Sequence, residues 1–168
     1  MPAGRTHDRI TLWGLPWVAA FTFIFSHSGN LTLLVSGGFL FGGLMFGPDL
    51  DIRSRQFKRW GWLRWIWLPY QKGLRHRSLL SHGPVIGTTL RLVYLSTWLV
   101  LLSFLGLNLI NSLWQTSWRW LDLVEVVKGS FLGYSQAWLA LWAGLEVGAM
   151  SHSFSDWGSS FCHRKPRI

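Results

Sequence analysis

Two long stretches of the chain, Ile10 to Pro48 and Leu92 to Trp118, contain no Asp, Glu, Lys or Arg. A helix on the surface of a water-soluble protein needs a polar stripe along its exposed side, and these stretches lack one. The pattern predicts helices surrounded by lipid. Four spans are expected, over about residues 11–26, 31–47, 85–110 and 131–151. The first lies near the short end of the roughly 17–25 residues that a helix needs to cross a bilayer. Ser28-Gly29-Asn30 is a turn cluster between the first two spans, and Pro48 stops the second. Within the second, Gly38 and Gly42, and Gly43 and Gly47, are four residues apart. Such spacing lets helix backbones approach closely in lipid. The expected fold is all-α: one membrane-embedded domain over residues 1–168, with about four transmembrane helices in a bundle.

Between the second and third spans, Asp49 to Pro84 is polar and basic. Its run Arg59-Trp60-Gly61-Trp62-Leu63-Arg64-Trp65-Ile66-Trp67 mixes indoles with guanidinium groups. Trp favours the lipid headgroup level, where its ring is apolar and its N–H stays wet. A partly helical segment lying on the membrane is therefore expected here, rather than a platform for stacking bases. Asn111 to Gly129 reads as a short amphipathic or loop segment.

Composition agrees. Of 168 residues, 49% are hydrophobic, 13 are Trp and only 14% are charged, against about 25% in soluble domains. A net charge of +9 and a pI near 10.9 would suit a nucleic-acid partner, but the location of the charges explains them better. Arg5, Arg9, eight basic residues between Asp49 and Pro84, and Arg164, Lys165 and Arg167 all fall on one side of the predicted membrane, with Arg119 and Lys128 on the other. The excess of Lys and Arg on cytoplasmic loops then puts both termini and the long loop in the cytoplasm, in an inner (plasma) or thylakoid membrane. Arg5 and Arg9 before an apolar run resemble the start of a signal peptide. A second apolar run follows, and no clear small-residue cleavage site appears, so an uncleaved first helix is expected. The lone Cys162 excludes an internal disulfide.

With this topology, His7 and Asp8, Asp49 and Asp51, His76 and His82, and His152 and Asp156 all fall at the cytoplasmic ends of the spans. His152 and Asp156 are four apart and share a helical face. Asp49 and Asp51 follow the helix-stopping Pro48. Polar groups near the membrane are costly unless they have a function, which favours a metal site over a polar cap paired with Arg. Imidazole with carboxylate suits zinc, manganese or iron, and the number of groups allows one ion or two. Glu146 is open between a supporting carboxylate and a partner for Arg91.

The segments RTHDRITLW, GGLMFGPDLDIRS, LPYQKGLRHRSLLSHGP and GAMSHSFSDW resemble a family of metal-binding membrane proteins known mainly from cyanobacteria. More distantly the chain is similar to LexA-binding, inner-membrane-associated proteins inferred to be hydrolases. Those carry an N-terminal His, a Pro-Asp-x-Asp motif, a His-Arg…Thr-His motif and a Ser-His-x-x-x-Asp motif. The matching positions are His7, then Asp49 and Asp51, then His76, Arg77 and His82, then His152 and Asp156. Two departures stand out. His76 and His82 are six apart, one more than in that pattern, and Gly83 stands where Ser is usual; whether both imidazoles ligate is left open. The His-x-x-x-Asp spacing in a helical setting also resembles zinc-dependent phospholipase C.

These resemblances imply a divalent ion, most readily zinc, held by His7, Asp51, His76, His82, His152 and Asp156. The expected activity is hydrolysis of a phosphoester or lipid at the cytoplasmic face. Asp49 or Asp8 would accept the water's proton, and Arg75 and Arg77 would meet a phosphate or, equally, anionic lipid. The alternatives are a non-catalytic metal-binding or assembly protein of the plasma or thylakoid membrane, and a regulator that binds a soluble protein through the basic loop.

Overall fold

A computed structural model describes residues 4–76 and 78–162, apart from the side chains of 5 and 156–162. The described residues form helices and turns, with no strand among them. Among the described residues, three stretches are long and apolar enough to cross a membrane: Thr6–Ser26, Gly29–Asp51 and Ile86–Trp114.

Helices α1 (Gly4–Ser26) and α2 (Gly29–Leu44) form the hairpin that the apolar runs predict. His27 turns the chain at φ 48°, and the Ser28 hydroxyl accepts the Leu31 N–H to cap α2. Helix α1 begins about seven residues before the expected span, because polar helix ends extend past the apolar stretch.

Next come α3 (Arg55–Arg59), α4 (Trp67–Gly73) and α5 (Leu79–His82), with 3-10 turns at Pro48–Asp51 and Gly61–Ile66. Then α6 (Ile86–Trp114), α7 (Trp120–Gly133) and α8 (Ser135–Cys162) complete the chain. The expected third span is part of a longer helix that runs on to Trp114. The Asn111 carboxamide gathers the turn that follows it, accepting from Thr116 Oγ1 and Trp118 N and donating to the Trp118 carbonyl. The segment over 111–129, expected to be amphipathic or a loop, is thus mostly helix. The expected fourth span straddles a break at Tyr134, and α8 is not among the three stretches apolar enough to cross.

Helix α8 packs along α2 through glycines on both helices. A Cβ at Gly38 or Gly42 would come within 2.6 or 2.4 Å of a backbone oxygen of α8, and one at Gly144 or Gly148 within 2.2 or 2.3 Å of a backbone oxygen of α2. Only glycine permits this approach. Gly43 faces α1 instead, where a Cβ would meet Thr11 Oγ1 at 2.5 Å.

The Asp49–Pro84 segment differs from a strip lying on the membrane. Part of it folds inward and joins α2 to α6. Trp67 has no exposed surface; its ring touches Phe46, Trp60, Tyr70 and Tyr94. Tyr94 donates its hydroxyl hydrogen to the Ile66 carbonyl. Phe46, Leu50, Phe57, Trp67, Tyr70 and Leu145 form one buried cluster, and covering that much aromatic surface draws the loop in. Trp62 remains 80% exposed, and Trp65 packs edge-on against Trp98 at the surface. The aromatic run therefore divides between an inner and an outer face.

Candidate metal centre

Helix α2 ends at Leu44, before the expected stop at Pro48, and Pro48 instead opens the 3-10 turn Pro48–Asp51, whose Leu50 is completely buried. Gln71 of α4 holds this turn by donating to the Leu50 and Ile52 carbonyls at 3.0 and 2.9 Å. Asp49 and Asp51 are thereby presented to three imidazoles from two other parts of the chain. His152 Nε2 lies 3.1 Å from Asp49 Oδ2. His82 approaches both carboxylates, with Nε2 3.7 Å from Asp49 Oδ1 and Nδ1 3.7 Å from Asp51 Oδ2. His76 Nδ1 is 2.9 Å from Asp51 Oδ1.

These approaches leave a specific deficit. Asp49 Oδ1, Asp51 Oδ2, His82 Nε2 and His152 Nε2 are all buried and lack a hydrogen-bond partner. The 3.1 Å approach of His152 to Asp49 is close without being aligned as a hydrogen bond. Buried polar atoms are normally satisfied, and a cation would satisfy acceptor atoms left bare in this way. One ligand atom each from Asp49, His76 and His82 lies within 4.8 Å of the others. An ion with bonds of about 2.1 Å holds its ligands up to about 4 Å apart, so this trio needs only slight closure. The donor set fits a divalent ion. Asp51 faces His76 Nδ1, and a carboxylate accepts there, which leaves His76 Nε2 bare; metal-binding histidines commonly show this arrangement.

The other predicted residues are placed as follows. The His7 ring stacks on His152 with centroids 3.8 Å apart, and its Nδ1 meets the Ser155 hydroxyl, so His7 adjoins the cluster without joining the trio. The Asp8 carboxylate points to Arg55 and Arg59, which reach it at 2.9 and 2.7 Å. Both its oxygens are occupied, which is poor preparation for accepting a proton from water. Arg75 is exposed. Arg77 and the Asp156 side chain lie outside the described residues. Glu146 makes no direct hydrogen bond to Arg91: its carboxylate accepts the Val85 N–H at 2.9 Å, just before α6, while its charge still acts on the Arg91 guanidinium.

Sequence reasoning missed Gln56. Its carboxamide donates to the Gly43 carbonyl at 2.9 Å and lies 3.4 Å from His152 Nδ1. Gly47 makes room for it, since a Cβ there would come within 2.2 Å of Gln56 Nε2. No motif singles out this residue. Ser81, beside His82, could have been suspected from adjacency alone.

Residues 2–166 match the model of a family described as "Uncharacterized metal-binding protein (DUF2227)". The chain belongs to this family. The match supports a metal-binding function and agrees with the Asp and His cluster; it does not identify the metal. A protein of Aquifex aeolicus (strain VF5), described as "Uncharacterized protein", is 39% identical over 59 residues, covering 34% of this chain and 41% of that one. The chain thus aligns with less than half the length of that relative. No solved structure matches.

Proposed function

We propose that this protein is a membrane-embedded, metal-dependent hydrolase acting on a phosphoester or lipid at the cytoplasmic face, with Asp49, His76 and His82 as the core of its ion site. The observation that carries this reading is the set of buried, unpartnered oxygen and nitrogen atoms on Asp49, Asp51, His82 and His152. The resemblance to LexA-binding, inner-membrane-associated proteins inferred to be hydrolases supports the metal and the membrane more than the reaction class. The three long apolar stretches and the one-sided distribution of Lys and Arg support the membrane setting; both termini on the cytoplasmic side then require a fourth crossing, for which α8, less apolar than those three, is the helix that remains.

A divalent ion bound there would supply a Lewis acid and an acidified water. Asp49 is the better-placed proton acceptor, because Asp8 is held by two guanidinium groups. His152, 3.1 Å from Asp49, orients that carboxylate. Arg75 is the described cation nearest in sequence to the His76 ligand and is free to meet a substrate phosphate.

The test is hydrolysis of anionic phospholipid and of a soluble aryl phosphate by the purified chain in micelles, with and without added zinc or manganese. Turnover that needs the ion and disappears in His82→Ala supports the reading. If the ion-loaded protein turns over neither substrate, the alternative of a non-catalytic metal-binding protein takes its place.

A further inference from the structure

Arg91 is the only charged residue between Pro84 and Arg119, within a helix that is otherwise uncharged and mostly apolar. A guanidinium in such a segment is expensive and calls for a function. Its side chain does not face outward; the residue is only 2% exposed. Nη1 donates to the Ser81 carbonyl at 2.8 Å and Nη2 donates to Thr88 Oγ1 at 2.9 Å. The guanidinium carbon lies 5.9 Å from the centre of the Phe46 ring, an arrangement that favours a cation over an aromatic face. Helix α6 lies tight against the turn it holds, since a Cβ at Gly87 would come within 2.8 Å of the Ser81 oxygen.

Ser81 leads directly to the ion site. It is completely buried, and its hydroxyl lies 2.9 Å from His82 Nδ1. The carbonyls of Ser78 and Arg75 lie 3.3 and 3.4 Å from the same hydroxyl. The Asp51 carboxylate, whose Oδ2 lies 3.7 Å from His82 Nδ1, favours the tautomer protonated at Nδ1; the Ser81 hydroxyl then receives the Nδ1–H and donates to one of these carbonyls. The ring's other nitrogen, Nε2, is then bare. It is the nitrogen that faces Asp49 Oδ1, buried and without a partner.

We propose that Arg91 and Ser81 are positioning residues for His82: the guanidinium fixes the Ser81 backbone against α6, and the Ser81 hydroxyl fixes the imidazole so that Nε2 faces Asp49. This rests on the reading of Asp49, His76 and His82 as an ion site. It explains why an arginine is kept in an apolar helix without contacting the ion.

The experiment is zinc affinity by chelator competition on the full chain in micelles. Variants are Arg91→Met, Arg91→Lys, Ser81→Ala and Ser81→Thr, each with the helix content and melting midpoint of its ion-free form. Partners that orient a ligand typically contribute about 10–100-fold to metal affinity, so Arg91→Met and Ser81→Ala are each expected to weaken zinc by that factor. Ser81→Thr, which keeps the hydroxyl, restores it, and Arg91→Lys recovers part. The double variant is no weaker than the weaker single one, because both act through His82. Cobalt(II) bound to Ser81→Ala gives a visible spectrum different from wild type. If Arg91→Met does not fold, the Ser81 pair and the cobalt spectrum decide. Wild-type protein that binds zinc while Ser81→Ala binds it equally, with an unchanged cobalt spectrum, overturns the positioning role alone. Wild-type protein that takes up no zinc overturns the ion site and this role with it.

Discussion

Gly148→Ala tests how closely the helix packing and the ion site are linked. A Cβ at Gly148 would lie 2.3 Å from the Phe39 carbonyl oxygen, 2.8 Å from Gly43 N and 3.0 Å from the Phe39 carbonyl carbon. All three are backbone atoms of α2, so no side chain can rotate away. Restoring ordinary contact, at about 3.5 Å, requires α2 and α8 to part by about 1 Å at this level. Overpacking of this kind costs about 1–3 kcal/mol, and rigid backbone on one side favours the upper half of that range. Alanine recovers up to about 1 kcal/mol through its higher helix propensity. The net loss is about 1–2 kcal/mol, or roughly 3–6 °C in the melting midpoint for a chain of this size. His152 follows Gly148 by one turn of α8, and Asp49 follows α2, so the same displacement opens the 3.1 Å approach between them. Zinc affinity should fall along with stability. The control is Gly37→Ala on the facing helix α2, where an added Cβ meets nothing within 4 Å; it should be neutral or more stable by up to about 1 kcal/mol. Thermal unfolding in micelles, followed by circular dichroism, compares the two. If Gly148→Ala melts at or above Gly37→Ala, the close approach of α2 and α8 is refuted.

Other predictions follow from named contacts. Trp67→Ala, which empties a fully buried site between α2 and α6, should cost about 3–5 kcal/mol, read as a lower melting midpoint. Gln56→Ala should lower zinc affinity by up to about 10-fold as well as destabilising the fold, because its carboxamide joins the Gly43 carbonyl to His152; chelator competition checks this. Asp8→Asn should change stability by less than about 1 kcal/mol, with the loss vanishing at high salt, because its partly exposed pairs with Arg55 and Arg59 are screened. Unchanged zinc content in that variant would agree with Asp8 lying outside the ion site.

Much of this architecture is legible in the order of apolar and polar residues. The α1–α2 hairpin follows from two charge-free runs, a Ser-Gly-Asn turn and Pro48. The gathering of Asp49, Asp51, His76, His82 and His152 follows from their common position at the ends of the predicted spans, although α8 runs on past His152. The glycine spacing in α2 also signals close packing, though it does not say which partner each glycine meets. Gly38 and Gly42 face α8, Gly43 faces Thr11, and Gly47 accommodates Gln56. What the sequence hides are choices made by tertiary contact. Trp67 and Trp62 are the same residue type in one aromatic run, yet one is core and the other exposed, because only Trp67 is met by Phe46 and Tyr94. Asp8 reads as a candidate base until Arg55 and Arg59, some fifty residues away, are brought to it. Arg91 and Glu146 are plausible partners by depth, but the carbonyl of Ser81 and the amide of Val85 are nearer acceptors and donors.

The central claim is that Asp49, His76 and His82 hold a metal ion. Its most direct test is elemental analysis by mass spectrometry of the full chain, purified in detergent without chelator, beside His82→Ala and Asp49→Asn. The account predicts about one zinc, manganese or iron per wild-type chain, and loss of that ion in both variants while their helix content is kept. Wild-type protein free of metal, or variants that retain it in full, would contradict the account.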